Sequence, residues 1–495
     1  MTNRICILGG GITGLSTAWQ LSKIVSSATE ILVIEKRAEL GGCIRTVRAN
    51  LNEGLESKAS EVLILEQGPH TIRTSGNLQY PLYELLASLN MQEQILKATS
   101  NSSIRYVAHK NQIVPLPHSI SGFLFTSIGR KLLIAVLHDL KRFWRFPFSR
   151  RSLPDESVHQ FASRQFGRQF ANLFMSALVR GIYAGDAKLL SVRACFPFLV
   201  SWEEKYSSVT IGALLSFLGG KTRINDHQSD VEATRRLEGH MERSRPFSFK
   251  GGMFALVEAL ENYLLAQKNI SVLKEHECTN IEYLPSESFY RLSFRNKQCQ
   301  VKTFDVQKLV CSIPAHSLTK LLLPTSSTLH RLITLLASIK FCNLAVINVA
   351  FSSRVVLHKA FGFLVPSVGD ESSLLGVIFH SQLFPAQCSS QHERLTLMMN
   401  VASNEHVYTR DLEQRALAQL KSYLPITEAP SFVKGRILKN CIPQYEVGHL
   451  EKIKLIFDLV TREFGENFIL TGNSYFGVSV PHCMKEGVEA ANKVI

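Results

Sequence analysis

A chain of 495 residues, 45% hydrophobic and 19% charged, is too long for one core and too apolar for wholesale disorder, so two or three globular domains are expected. A formal net charge of +14 and a pI near 9.3 favour anionic partners, with no nucleic-acid signature beside the excess. Ten cysteines without a CxxC pair argue against a disulfide framework, and sixteen histidines without an HExxH spacing give metal chemistry no support.

At the N-terminus, Ile5-Cys6-Ile7-Leu8 reads as a buried strand, which leaves no room for a signal peptide or an Arg-rich presequence; any organelle import would use internal information. The strand leads into Gly9-Gly10-Gly11-Ile12-Thr13-Gly14, a GxGxxG, and then a helical pattern through Leu15, Ala18, Trp19 and Leu21. A second strand, Ile31 to Ile34, ends at Glu35, followed by Lys36. Strand, turn, helix, strand and acid together make a dinucleotide-binding βαβ unit. In it Gly9 allows a tight turn, Gly11 admits a pyrophosphate, Gly14 lets helix and strand close up, and Glu35 accepts hydrogen bonds from a ribose. The acid alone leaves FAD and NAD open. Gly41-Gly42-Cys43-Ile44-Arg45 follows at once, and a glycine pair with an arginine here is similar to the second signature of the FAD-containing amine oxidase superfamily, which favours FAD.

Val62 to Leu65 reads as a strand turning at Gly68-Pro69. Further on stand Glu66-Gln67-Gly68-Pro69-His70-Thr71-Ile72-Arg73, Asp155-Glu156-Ser157-Val158, Leu178 to Asp186 with Leu190 to Arg193, and Ser248 to Met253. Ile442-Pro443-Gln444-Tyr445 with Gly448-His449, and Gly472-Asn473-Ser474-Tyr475-Phe476-Gly477-Val478, complete the series. In this order and spacing the chain resembles, over essentially its whole length, the oxygen-dependent protoporphyrinogen oxidase family, eukaryotic type. The Gly185-Asp186 and Pro443-Gln444-Tyr445 segments are the most telling.

The resemblance implies an α/β fold with a Rossmann-like FAD-binding domain in discontinuous segments, 1–92, 247–318 and 436–495. It also implies a mainly helical membrane-associating insertion over 93–205 and a mixed α+β substrate-binding domain over 206–246 and 319–435. Within these pieces, Leu309 to Cys311 reads as a returning strand, Val272 to Cys278 as another close to the adenosine, and Leu344 to Phe351 as alternating. Lys221 to Arg245 is polar and free of aromatics, an expected exposed loop or helix pair. From Arg130 to Arg151 seven Lys or Arg face one acid, Asp139, interleaved with Ile134, Leu137, Phe143, Trp144, Phe146 and Phe148, a mixture that fits peripheral contact with anionic lipid or, alternatively, a core helix with a basic face. No apolar run reaches the roughly 18–20 residues of a spanning helix.

The implied activity is removal of six hydrogens from protoporphyrinogen IX in three two-electron steps, with O2 as acceptor and H2O2 as product. Flavin N5 carries the chemistry, so no catalytic acid or base is assigned among the side chains. One non-covalent FAD per chain is expected against Gly9, Gly10, Gly11, Ile12, Thr13, Gly14, Glu35 and Lys36, then Gly42, Cys43 and Arg45, then Gly68, Pro69, His70 and Thr71. Cys278, as a backbone contact or core thiol, and Gly472, Asn473, Val478, Ser479 and Val480 complete that set. For the substrate, Phe361, Leu364, Ile378 and Met398 should wall an apolar slot, Arg180 and Gly181 should lend backbone, and Arg105 should meet a propionate. The family also implies a peripheral place on the mitochondrial inner membrane and contacts with ferrochelatase and with a second copy of the chain. His70 stands where arginine is usual, Ser207 for a glycine, His380 and His482 for acids, and Asn400 for a glycine. Other readings are a different superfamily oxidase, such as an amine oxidase or carotenoid desaturase, and a non-catalytic carrier like the prenylated-GTPase escort proteins.

Overall fold

The computed structural model describes residues 3–50, 62–73, 78–110, 112–117, 120–145, 154–218, 245–367, 373–388, 392–402, 405 and 408–495. The polar stretch from Lys221 lies outside them up to Arg245, as do Phe146, Phe148 and Arg151 of the basic segment.

Short apolar strands buried on both faces are what a parallel sheet requires. Five of them stand in the order Phe468–Leu470, Lys308–Cys311, Arg4–Leu8, Glu30–Ile34 and Ile270–Leu273, all parallel. The helices Ile12–Ile24, Phe254–Leu265 and Val480–Val494 cover one face through Leu15, Trp19, Leu256, Leu260 and Met484. An antiparallel sheet of His276–Leu284, Phe289–Asn296 and Val301–Val306 covers the other, packing Leu292 and Phe294 with Leu32 and Ile34. Sequence-distant pieces thus close into one Rossmann-like unit.

The second body is a seven-stranded sheet in the order Phe432–Pro443, Phe341–Phe351, Glu393–Val401, Leu374–Ile378, Gly362–Leu364, Tyr106–His109 and Gln112–Pro115. Beside it stands a helical region that includes Ser127–Arg145, Val158–Phe166, Ser176–Tyr183, Pro197–Tyr206 and Val209–Leu218. Among the described residues no helix is long and apolar enough to cross a membrane, and no group of three or more His, Cys, Asp or Glu could hold a metal ion.

Five expectations change. Val272 to Cys278 is not one strand: Glu275, at φ +57, turns the chain between Ile270–Leu273 and His276–Leu284, which belong to different sheets. The insertion is not helical from residue 93, because Ile95–Lys97 pairs with Phe247–Phe249 and the hairpin around Lys110 (φ +53) adds two strands to the large sheet. Val209–Leu218 belongs with the helices rather than with the substrate sheet, since Asp139 on Ser127–Arg145 accepts hydrogen bonds from Ser208 Oγ (2.5 Å) and Thr210 N–H (2.8 Å) at its start. Lastly, the boundary at 436 falls inside a strand, and Leu344 to Phe351 is buried on both faces instead of alternating.

Candidate functional site

The two glycine loops meet. Gly9, at φ +112, leaves the first strand, and its N–H bonds to Ile34 O at 2.8 Å. Gly41 N–H bonds to Gly10 O at 2.8 Å, which brings Gly42 against Gly11. A Cβ on Gly14 would stand 2.0 Å from Gly9 O, so only glycine lets the helix start this close to the strand. Gly68 is equally constrained, its Cβ position lying 2.0 Å from Cys43 O.

The buried Glu35 carboxylate accepts from Gly10 N–H (2.9 Å) and Arg37 N–H (3.0 Å), and Arg37 Nη2 reaches Gly42 O at 2.9 Å. Arg37, Glu39, Gly42, Arg45 and Arg436 line a cleft of about 280 Å³ between these loops and the large sheet. Arg436 Nη1 also touches Gln67 O at 3.4 Å, and burial with the neighbouring Arg45 and Arg37 charges lowers its pKa. Three guanidinium groups around a backbone cradle of glycines suit a diphosphate. The residues present therefore fit FAD: the glycines clear the path, Glu35 is set for a ribose, and the arginines supply positive charge. Lys36 and Arg45 are exposed, with Arg45 pairing to Glu39 at 3.4 Å. Cys43 is exposed, while Cys278 is a core thiol whose pKa burial pushes up to about 12.

At the far end, Gly472 (φ +107) and Gly477 (φ +57) shape the loop before Val480–Val494, and Ser479 caps that helix by accepting from His482 N–H at 3.4 Å. Tyr445 OH donates to Asn473 O, and Ser474 Oγ accepts from Ala315 N–H at 3.0 Å. Gln444 Nε2 donates to Tyr183 O at 2.8 Å, and a Cβ on Gly185 would stand 2.2 Å from Gln444 Oε1. Ser191 N–H bonds to Tyr445 O, while Asp155 accepts from both Ser191 Oγ (2.8 Å) and Gly448 N–H (3.0 Å). The segments that identify the family in the sequence thus form one joint, which clamps the helical region against the loop 472–477.

Of the expected slot residues, Leu364, Ile378 and Met398 share one face of the large sheet. Register places Gly376 between Leu364 and Met398 in one row, with Gly362, Ile378 and Thr396 in the next. Two-residue periodicity puts Leu364, Gly376, Ile378, Thr396 and Met398 on the same face, and Phe363, Val377, Leu397 and Met399 on the opposite, fully packed one. Leu364, Ile378 and Met398 are half-buried and form the walls of a shallow trough at Gly376, over which Leu364 Cδ2 lies 3.0 Å from a Cβ position. Gly181 closes one end, because its Cβ position lies 2.6 Å from Leu364 Cδ2. Arg180 is buried and spends its guanidinium on the carbonyls of Pro366 (2.7 Å) and Leu374 (3.2 Å). Phe361 packs with Ala98, Ile378, Leu383 and Phe384, and its N–H bonds to Ile104 O, so Arg105 lies at that edge. Arg105 is lowered in pKa by burial, and Arg73 falls to about 10 through burial and the Arg105 charge.

Sequence reasoning missed the tie between sheet and cradle. Asn348 Nδ2 donates to Glu66 O (2.8 Å) and Asn348 Oδ1 accepts from Thr396 Oγ1 (2.9 Å), which docks the trough face on the strand Val62–Glu66. It also missed Arg37, Arg436 and the trough glycine Gly376; a glycine two apart from a predicted slot residue in a strand was the available signal. His70 turns inward rather than outward: its ring packs edge-on to His380 at 5.8 Å, and burial and the Arg394 charge lower its pKa to about 3.

Comparison with known proteins agrees with this geometry. The flavin containing amine oxidoreductase family matches residues 12–495. The chain is similar to human (Homo sapiens) protoporphyrinogen oxidase, 30% identical over 508 residues that cover 100% of this chain and 99% of that one. It is 26% identical over 514 residues to the mitochondrial protoporphyrinogen oxidase of Nicotiana tabacum, covering 99% and 94%. A solved structure from Exiguobacterium sp. 255-15, provisionally named a protoporphyrinogen oxidase, shares the fold with a TM-score of 0.76 at 20% identity, covering 100% and 99%. The chain belongs to the flavin-containing amine oxidoreductases, in their protoporphyrinogen oxidase family.

Proposed function

We propose that this protein uses non-covalently bound FAD to oxidise protoporphyrinogen IX to protoporphyrin IX in haem biosynthesis, passing the electrons to O2 with H2O2 as product. The observation that carries the reading is the glycine trough between Leu364, Ile378 and Met398, docked through Asn348 and Glu66 on the chain that leads from the FAD cradle. A broad apolar macrocycle needs such a trough, and its propionates need a cation at the edge, which is the role of Arg105. Bound in the cradle, FAD supplies a two-electron acceptor for hydride lost from a macrocycle carbon. Gly9, Gly10, Gly11, Gly14 and Gly42 admit the cofactor; Glu35 holds its ribose, and Arg37, Arg45 and Arg436 its phosphates. The loop 472–477 and the start of Val480–Val494 direct N–H groups at the flavin, while Phe361, Leu364, Ile378 and Met398 exclude water.

The three functional units follow as part of the same reading: an FAD unit, a sheet that holds substrate, and a helical unit that meets lipid. Ser127–Arg145 supports the last of these. It exposes Ile134, Leu137 and Trp144 (63%, 56% and 81%) along one side while Ala135 and Asp139 face inward, and Phe125 before it is 82% exposed. The compartment we infer is the mitochondrial inner membrane, peripherally, in company with the tobacco relative's mitochondrial name. Contacts with ferrochelatase and with a second copy belong to this reading as well.

The test is turnover of protoporphyrinogen IX by purified holoenzyme, followed by porphyrin fluorescence in air and under argon with an added dye acceptor. Flavin-dependent porphyrin formation in air with stoichiometric H2O2 is expected. Turnover only with the dye would refute O2 as acceptor, and a yellow protein inactive in both would refute the substrate. Flotation with anionic liposomes at low salt tests the helical unit, and no co-flotation would remove the lipid contact.

A further inference from the structure

Between the FAD unit and the large sheet lies a cluster of polar side chains that the chemistry above leaves unused. Arg394, on Glu393–Val401, is 0% exposed, and His380, Gln387 and His70 are 1%, 2% and 4% exposed. Gln387 is fixed, because its Nε2 donates to Phe249 O at 2.6 Å. Its Oε1 therefore accepts, from His380 Nε2 at 2.8 Å and from Arg394 Nη2 at 3.4 Å. That leaves five nitrogens without a partner among the described residues: Arg394 Nε and Nη1, His380 Nδ1, and both ring nitrogens of His70.

Buried polar atoms are nearly always satisfied, and a buried charge needs a counter-charge. Arg394 forms no ion pair among the described residues, and its surroundings do not supply a full negative charge. Cys388 is held as a neutral thiol by burial, and the nearby Glu66 carboxyl is pushed by burial up to about 7 while Met253 N–H and Thr46 Oγ1 occupy its oxygens. Both histidines are kept neutral by burial and the Arg394 charge.

We propose that Arg394 and His70, beside His380, form a binding site for a small monovalent anion of halide size. Arg394 contributes Nε–H and Nη1–H, and a neutral His70 contributes one N–H. The anion neutralises the buried guanidinium between the strand that carries the trough and the loop Gly68-Pro69-His70 of the FAD cradle, and so fastens one to the other.

Two measurements on the holoenzyme test this. A crystal grown in sodium bromide should show an anomalous peak within hydrogen-bond distance of Arg394 Nε or Nη1. In solution, replacing sodium gluconate by sodium chloride at equal ionic strength should raise Tm saturably, by roughly 2 °C for a chain of this length when the anion far exceeds its Kd. His380→Asp introduces an internal carboxylate near Arg394, so this variant should lose the chloride response and match or exceed the wild-type Tm in gluconate. No bromide peak, or His70 found bonded to the flavin with Arg394 bonded to water alone, overturns the proposal. So does a Tm indifferent to the anion, or an unchanged chloride response in His380→Asp.

Discussion

Gly181→Ala tests the trough most directly. The new methyl carbon would stand 2.6 Å from Leu364 Cδ2 and 3.1 Å from Cδ1, against an ordinary contact of about 3.4–4 Å, so something must move by about an ångström. Gly181 sits on the buried helix Ser176–Tyr183 and has ordinary helical neighbours, whereas Leu364 is half-buried and ends in free methyls, so Leu364 gives way. Leu364 Cδ2 already lies 3.0 Å from a Cβ position on Gly376, so it gives way along the half-buried face assigned to the macrocycle. Overpacking of this size costs about 1–3 kcal/mol, and if it is charged to substrate binding, kcat/KM falls by about 5- to 150-fold. FAD content, read from the flavin absorbance per chain, should be unchanged, since the cradle is untouched. The double variant Gly181→Ala with Leu364→Ala should recover most of the loss, because the colliding methyls are gone. A loss in the single variant with no recovery in the double would refute the argument, and so would a loss of flavin.

Gly14→Ala places a carbon 2.0 Å from a backbone oxygen that cannot retreat, and flavin per chain should fall at least about 10-fold. Glu66 binds its proton more tightly folded (about 7) than an ordinary glutamate does unfolded (4.5), so the stabilisation this gives is complete below about 4.5 and is lost as pH rises through 7. Glu66→Gln should remove that trend, worth about 3 kcal/mol across the window, when Tm is compared between the two proteins from pH 5 to 8; parallel curves would refute it. Asn348→Ala strands Thr396 Oγ1 and the Glu66 carbonyl, both buried, and should lower stability by about 1–3 kcal/mol in chemical denaturation, with a rise in KM because the trough loses its tie to the cradle.

The dinucleotide unit was legible because its signals are local. Gly9 to Gly14 sits between two apolar strands and Glu35 follows the second, so pattern and turn chemistry agree within one stretch of chain. The slot was legible only by resemblance: Leu364, Ile378 and Met398 come from three strands, and nothing in their own spacing says that register will set them in neighbouring rows around Gly376. The hairpin at Tyr106–Pro115 went unread because two four-residue strands give too little period to outweigh the helical pattern that follows. Ser207 had a legible cause once placed. It ends Pro197–Tyr206 at φ +56, where a glycine is under less strain, and so the family's usual residue there is explained without any contact to substrate.

The residues that identify the family in the sequence are mostly not those that would touch substrate. Gln444, Tyr445, Asp155 and Ser191 bond to one another or to backbone, Gly185 packs against Gln444, and Tyr445 reaches on to Asn473 in the loop 472–477. This division has a physical origin. When a cofactor carries the electron chemistry, no side chain needs a tuned pKa, and what the protein must conserve is distance: the macrocycle has to lie against the flavin to within a fraction of an ångström. A trough can be walled by many apolar side chains of similar volume, so its sequence is free to drift. A joint in which a Cβ on Gly185 would stand 2.2 Å from Gln444 Oε1, while Gln444 Nε2 is held by Tyr183 O, leaves fewer solutions. Such a joint fixes the flavin loop, the helical unit and the trough end at Gly181 relative to one another, and it is therefore where the reaction leaves its clearest mark in the sequence.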